Sequence, residues 1–315
     1  MQCLKLISVA KILILFVGCN NTDRPTSYTH SESSTNDMAH SLNVDGQALA
    51  HGSELFNRLA SSKTARLTLQ IMMNSKSAYS YTLRDLAEEL KLRTAVVDAA
   101  HELDQKKKRE FPQKGGALIA VSPTTCWLRN PRSWPDWQVE ELGATPYIYL
   151  SPACTPSQGV DEIFSEHTTL ITECNSALKL VFQRAYQKYL GDKKFNELHL
   201  GLYETYKKEF SVTAAMSFLP SRSMRKDLLP GDWLNFENPD HKVGAEAWRY
   251  ENVIYTGNDR TGTELFFGHP FSINTEKFYI EQLSTVVKRG GALPYLDRRS
   301  TFTKMDALNA EHSRN

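Results

Sequence analysis

The chain has 315 residues, of which 41% are apolar, 10% aromatic and 23% charged. That is ample for a sizeable core and, at ~150 residues per domain, for one large or two modest domains. Its 37 Lys and Arg nearly balance 36 Asp and Glu, giving a formal charge of +1, which excludes the strong basic excess of a dedicated nucleic-acid binder.

These averages hide a division, because the first 50 residues differ from the rest. Lys5 and Lys11 precede and flank an apolar run from Ile12 to Val17. This run is far short of the ~20 residues that span a bilayer as a helix; it fits the charged-then-apolar layout of a secretory signal. It stops at Phe16-Val17-Gly18-Cys19, which resembles the lipobox of bacterial lipoproteins, with Phe16 where Leu is usual. The resemblance implies that Cys19 is lipidated after residues 1–18 are removed. Fifteen of the 24 residues from Asn20 to Asn43 are Ser, Thr, Asn or Asp. Such a stretch buries too little apolar surface to offset its ordering entropy, so 19–50 is predicted to be a disordered tether. The expected location is therefore the cell envelope, anchored by lipid to a bacterial membrane, with Asn20 resembling an outer-membrane sorting signal.

Cys3 leaves with the signal, so Cys126, Cys154 and Cys174 remain in the body of the chain. In an oxidising compartment an odd thiol stands out. A Cys126–Cys154 bridge leaves Cys174 free; three buried reduced cysteines are the alternative.

Residues 82–103 place Leu83, Leu86, Leu90, Val97 and Leu103 on a helical stripe behind Thr82, a candidate N-cap. Residues 117–150 mix short apolar runs with Pro, Gly and Trp and read as strands and turns. A second helix is predicted over 172–190, with Leu170, Ile171, Cys174, Ala177, Leu178, Val181, Phe182, Ala185 and Tyr186 on its stripe and Gly191 as its stop. Strands follow at 232–236, 252–256 and 264–268, then a helix from 274 to 288. Helices first, then a helix feeding antiparallel strands, is an α+β pattern.

Cys174 falls at the predicted start of its helix, two residues after Thr172, the capping candidate. Free N–H groups and the positive dipole end there favour a thiolate and offer donors to an oxyanion. A thiolate also needs a proton acceptor nearby. From the residues by themselves the structural roles come first: Cys174 as a core residue on an apolar stripe, Glu251 in a strand-edge salt bridge with Arg249 or Arg260, His269 in a turn, and Trp248 in the core.

The succession LPGDWLNFENP, WRYENVIYTGND and ELFFGHPFSI resembles the strands of papain-like, NlpC-like cell-wall peptidases, with Glu251 where their base His is expected. FSEHTTLITECNSALKLVF, with GDWLNFENP, AWRYENVI and RGGAL, resembles more narrowly the small calcium-independent transglutaminases of Bacillus-type spores. LRDLAEELKLRTAVVDAAHEL and TTCWLRNP agree with that family as well. The resemblance implies a papain-like α+β fold: a nucleophilic Cys at a helix N-terminus, packed on an antiparallel sheet behind an N-terminal helical extension. It implies Cys174 as nucleophile, Glu251 as its catalytic partner, Glu173 as an assisting carboxylate, His269 as the downstream polar residue and Trp248 as a wall of the substrate tunnel. It implies no cofactor and no metal. The partners it implies are a protein glutamine as acyl donor and a lysine or other primary amine as acceptor. The domain is expected over 51–297, followed by a polar tail at 298–315. The signal, extra residues between 203 and 229, and the tail depart from the family pattern. Rival readings are a cell-wall peptidase or amidase, a glutamine deamidase, and an envelope lipoprotein that only binds.

Overall fold

The computed structural model describes residues 42–107, 109–110, 119–129, 148–151, 153–197 and 227–301. The expectations for residues 1–41, Cys19 included, and for the tail beyond 301 lie outside these, as do 130–147 and the 203–226 insertion.

The ordered fold starts earlier than the expected boundary at 51. β1 (Leu42–Val44) and β2 (Gln47–Ala48) form an antiparallel hairpin around Asp45 and Gly46, both at positive φ. Asp-Gly is the pair that such a two-residue turn favours. Leu42, Val44 and Leu49 are buried with Phe56, Leu59, Leu69, Met72, Leu86 and Leu90 in an N-terminal core. The polar composition of the preceding segment masked this short apolar end. α1 (Glu54–Leu59) and α2 (Lys63–Asn74) follow, capped by the hydroxyls of Ser53 and Ser62. β3 (Tyr79–Tyr81) then pairs in parallel with β1.

α3 (Leu83–Gln105) begins as predicted, with Thr82 Oγ1 accepting the Asp85 N–H at 3.1 Å. Its buried face is broader than the predicted stripe because the helix serves two cores: Leu86 and Leu90 enter the first, Leu92, Val96, Ala99, Ala100 and Leu103 the second. Between them Arg93 is fully buried, paired with Glu89 at 3.0 Å and Asp232 at 2.9 Å. A buried charge is tolerated only when paired and hydrogen-bonded, so this pairing ties α3 to the Gly-Asp turn that opens the main sheet.

β4 (Arg109–Glu110), β5 (Ile119–Ser122), β6 (Trp127–Arg129), β7 (Ile148–Leu150) and α4 (Pro156–Phe164) lead to β8 (Thr169–Thr172). β8 lies between β4 and β5, and β6 pairs with β7. Cys126 and Cys154 form a disulfide with Cα atoms 5.5 Å apart, and Cys174 is a free, buried thiol. The Glu162 carboxylate of α4 accepts from the Thr125 and Cys126 N–H groups at 2.6 and 3.0 Å, holding one end of the bridge in place.

α5 (Cys174–Leu190) is shorter at its start than predicted. Leu170 and Ile171 belong to β8 instead, and Thr172 is paired with Ile119 rather than capping the helix. A short apolar run fits strand or helix equally by periodicity, which is why the boundary was misplaced. Gly191, at φ 76°, ends the helix as expected.

The main sheet has the order β12-β11-β10-β9-β13, with every pair antiparallel. Its strands are β9 (Trp233–Glu237), β10 (Tyr250–Asn258), β11 (Glu264–Gly268), β12 (Ser272–Thr275) and β13 (Tyr295–Thr301). The helix predicted from 274 is only α6 (Glu276–Ser284), because 272–275 extend as β12 and Thr275 caps the turn. β13 continues past 297, where Arg298 pairs with Glu264 and Glu276 at 2.8 and 2.9 Å, so the expected tail begins inside the sheet. One face of the sheet sends Ile254 and Phe267 into the core with α3 and α5; the other sends Leu234, Phe236, Val253, Tyr255 and Phe266 against Tyr279 and Leu283 of α6. The architecture is the expected α+β one. No helix among the described residues is long and apolar enough to cross a membrane.

Candidate active site

Cys174 is the first residue of α5, but its cap is Glu173. The Glu173 carboxylate accepts the N–H groups of Asn175 at 2.8 Å and Ser176 at 2.6 Å. Glu is not among the common N-cap residues; here it also brings Oε2 to 3.8 Å from Cys174 Sγ, as acceptor of the thiol. Two of the helix's free N–H groups are thereby filled by a side chain instead of being open to a ligand.

The facing wall is β10. Alternation along a strand sends Asn252 and Glu251 to opposite faces. Asn252 reaches toward α5, where Nδ2 donates to Cys174 Sγ at 3.2 Å; its Oδ1 accepts the indole N–H of Trp233 at 2.9 Å. The Asn252 backbone N–H is directed at Sγ as well. Glu251, opposite Phe236 on β9, lies on the α6 side, 2% exposed, and Oε1 has no hydrogen-bond partner among the described residues. That burial rules out a surface ion pair with Arg249 or Arg260.

Gly268 gives Glu251 its room. A Cβ there would stand 2.9 Å from Glu251 Oε1 and 2.8 Å from Tyr279 Oη. Tyr279 cannot yield easily, because its hydroxyl donates to the Ser272 carbonyl at 2.7 Å and its ring stacks on Phe236 with centroids 4.9 Å apart.

Burial, and then the charge of Glu173, hold the Glu251 carboxyl well above its ordinary 4.5. This is the shift a carboxylate needs to act as base near neutrality. Burial, followed by the charges of Glu251 and Glu173, also pushes the Cys174 thiol up, against the lowering donors of Asn252. The helix N-terminus that sulfur meets is not the open one expected: Glu173 occupies two of its N–H groups, and burial with the neighbouring carboxyl groups pushes the thiol up.

His269 opens the turn between β11 and β12, as the turn reading expected, but it is buried there, 1% exposed. Trp248 ends a 3₁₀ turn, Glu246–Trp248, just before β10; it is half-buried with its ring 5.5 Å from Phe271. Cys174, Glu173 and Glu251 therefore gather where α5 meets β10, whereas His269 lies in the turn after β11 and Trp248 joins the aromatic cluster under α6. Asn252, Trp233 and Gly268 escaped the sequence reading. Asn252 stands in the quoted E-N-V-I run, where strand alternation aims one of two adjacent polar residues at the opposite face from its neighbour. Among the described residues no three His, Cys, Asp or Glu side chains converge as a metal site.

A cysteine at a helix start, flanked by carboxylates and a carboxamide, defines a thiol acyl-transfer site on an α+β fold. The protein-glutamine gamma-glutamyltransferase family model matches residues 42–311, and the chain belongs to this family of acyltransferases. A protein-glutamine gamma-glutamyltransferase of Bacillus pumilus is 29% identical over 246 residues, covering 77% of this chain and 87% of that protein. One from Bacillus mycoides is 29% identical over 220 residues, covering 69% of each. Among solved structures, the transglutaminase from Geobacillus stearothermophilus without its C-terminal extension superposes with a TM-score of 0.53 at 24% identity, covering 72% of this chain and 96% of that one; it shares the fold.

Two outcomes follow from the burial of Glu251. Gly268→Ala displaces the more flexible Glu251 carboxyl, so amine incorporation into a glutamine protein falls roughly 10²-fold, with a stability loss of about 1–3 kcal/mol in urea unfolding. Wild-type activity in this variant would remove Gly268 from the site. The raised folded-state value of Glu251 stabilises the fold fully below its unfolded value, and that contribution is lost as pH rises through the folded one. Glu251→Gln has no such loss. The difference in melting temperature, variant minus wild type, is expected to grow from pH 4 toward alkaline pH; a flat or falling difference contradicts the shift.

Proposed function

We propose that this chain joins protein glutamine side chains to lysine or other primary amines through a thioester on Cys174. What supports the reading most directly is Sγ held between Asn252 Nδ2 at 3.2 Å and Glu173 Oε2 at 3.8 Å, with buried Glu251 close enough to bias its protonation. A single charge shared by two carboxylates allows a balanced cycle. The thiol proton passes to Glu173 as sulfur attacks the glutamine carboxamide. Glu251, held neutral by its burial, donates to the departing nitrogen, so ammonia leaves and the thioester remains. An incoming neutral amine then attacks; Glu251 takes its proton, and Glu173 returns a proton to the departing sulfur. The isopeptide bond forms and both carboxyl groups are restored. This gives Glu173 a larger part than the assisting role implied by the family resemblance. His269, buried in the turn after β11, is given no proton step. Trp248, beside Phe271, serves as an apolar flank that restricts water near the thioester, which favours amine over hydrolysis.

The second part of the proposal is place. The Phe16-Val17-Gly18-Cys19 run and the polar stretch behind it support a lipid anchor on Cys19 and an envelope location, with crosslinking of proteins within reach of the tether as the task.

Incorporation of a fluorescent primary amine into a glutamine protein, without added calcium, tests the chemistry. Cys174→Ala is expected to incorporate none, and Glu173→Gln and Glu251→Gln each to lose roughly 10²–10⁴ in kcat, the usual worth of a positioned acid or base. Equal labelling by Cys174→Ala would sink the thioester. Cleavage of muropeptides, or ammonia release with no amine incorporated, would replace the reading by a peptidase or a deamidase. For location, Cys19→Ser should move the chain from the membrane to the soluble fraction of its host and abolish labelling by a fatty-acid probe; unchanged fractionation would refute the anchor.

A further inference from the structure

Cys174 must pass through an anionic state in any acyl transfer, yet the groups around Sγ oppose one. The side chain is buried, Glu173 Oε2 lies 3.8 Å away, and Glu251 adds a second carboxyl from the opposite face of β10. The helix N-terminus gives little relief, since Asn175 and Ser176 donate their N–H groups to Glu173 at 2.8 and 2.6 Å. Among the described residues, the donors that do point at sulfur both belong to Asn252: Nδ2 at 3.2 Å and the backbone N–H.

A carboxamide has a donor end and an acceptor end, and a half-turn about its last bond would present Oδ1 to sulfur, adding repulsion instead of stabilisation. The orientation is fixed from outside. The Trp233 indole N–H can only donate, and it donates to Asn252 Oδ1 at 2.9 Å; with Oδ1 engaged, Nδ2 faces sulfur. Trp233 in turn stacks its ring on Phe182 of α5 with centroids 5.9 Å apart. It also follows Asp232, whose carboxylate is paired with Arg93 at 2.9 Å.

We propose that Asn252 is a catalytic residue that stabilises the Cys174 thiolate by hydrogen bonding, and that Trp233 is its positioning residue. This rests on Cys174 as the nucleophile and deepens that reading. Asn252 takes the place that a cationic imidazole would hold in a cysteine–histidine pair. It acts without carrying charge, so the sulfur is stabilised only as the proton leaves for Glu173. Among the described residues, the charges that act on this sulfur are Glu173 at the start of α5 and Glu251 on β10, with Tyr279 of α6 next to Glu251. All are acids, and none supplies a cation in place of the donors.

The test is the pH dependence of Cys174 alkylation by iodoacetamide in the full-length chain, followed on the Cys174 peptide by mass spectrometry. This separates it from Cys3 and Cys19. Asn252→Asp keeps the shape and removes the side-chain donor. It is expected to move the rise in alkylation upward by at least about one pH unit, and so to slow the reaction roughly tenfold at pH 8. Trp233→Phe retains the stacked ring but frees the carboxamide to turn, and its profile is expected between the two. In amine incorporation both variants should lower kcat with little change in KM for the glutamine protein. Alkylation profiles that superimpose on wild type in both variants, with melting temperatures retained, overturn the proposal. Should Asn252→Asp fail to fold, Trp233→Phe alone decides by the same shift or its absence. Because alkylation uses neither glutamine nor amine, a wild-type enzyme that incorporates no amine would refute the transglutaminase reading while leaving this result to stand or fall by itself.

Discussion

Consecutive residues of an extended strand must point to opposite faces of the sheet, and the site is built on that constraint. β10 presents Asn252 to α5 and Glu251 to α6, so the first turn of α5 meets a carboxamide on one side of the strand and the field of a carboxyl from the other. β11 makes this workable by ending its ladder with β10 at Gly268, where the missing Cβ leaves the Glu251 carboxyl its space. A one-residue slip of β10 would exchange the two side chains, placing a carboxylate against sulfur and a carboxamide in the aromatic core. Register is therefore chemistry here. It is secured by pairing on both edges and by Phe236, Val253, Tyr255 and Phe266 burying their rings and methyl groups on the α6 face.

The electrostatic logic differs from that of a thiolate–imidazolium pair. A buried thiol and a buried carboxyl, both held toward their neutral forms, form a resting state with little charge separation. Glu173 supplies the local negative charge, and the N-terminus of α5 holds it through two backbone N–H groups. The site thus invests its helix dipole in positioning a base instead of in activating the sulfur directly. The cost falls on stability, since a carboxyl with an unpaired Oε1 in an apolar wall is a group that a more stable protein would replace.

The long features of this fold were legible: α3 with its Thr82 cap, β10 and β11, the Gly191 stop, and the cysteine at a helix start. What escaped lay at the boundaries, where period and composition conflict. Leu170 and Ile171 satisfy a helical stripe, but their backbone completes β8 between β4 and β5, and those pairings are distant in sequence. β1 vanished into a polar average because only Leu42, Val44 and Leu49 reveal it. The Cys126–Cys154 bridge stayed open because spacing alone does not decide a pairing; the structure settles it by bringing the segment before β6 onto α4. Within the site, Cys174 was marked by its place at a helix start and Glu251 through the family resemblance, whereas Asn252 and Gly268 matter through orientation and space, which only tertiary packing sets.

The same packing bears on how a nucleophilic cysteine and a disulfide coexist in one chain. Exchange between them requires the attacking sulfur as thiolate, at a rate that falls with the thiolate fraction. Burial and the charge of Glu173 suppress that fraction at Cys174 in the resting enzyme. The Cys126–Cys154 bridge is thereby protected from an internal thiol, and the thiol from oxidation that needs the same anion. Sulfur ionises when a carboxamide substrate is aligned and its proton has somewhere to go. A chain that carries an open, permanently ionised thiol beside its own disulfide would lack this safeguard, and the carboxylate that makes Cys174 harder to ionise at rest, Glu173, is also the group that takes its proton in the reaction.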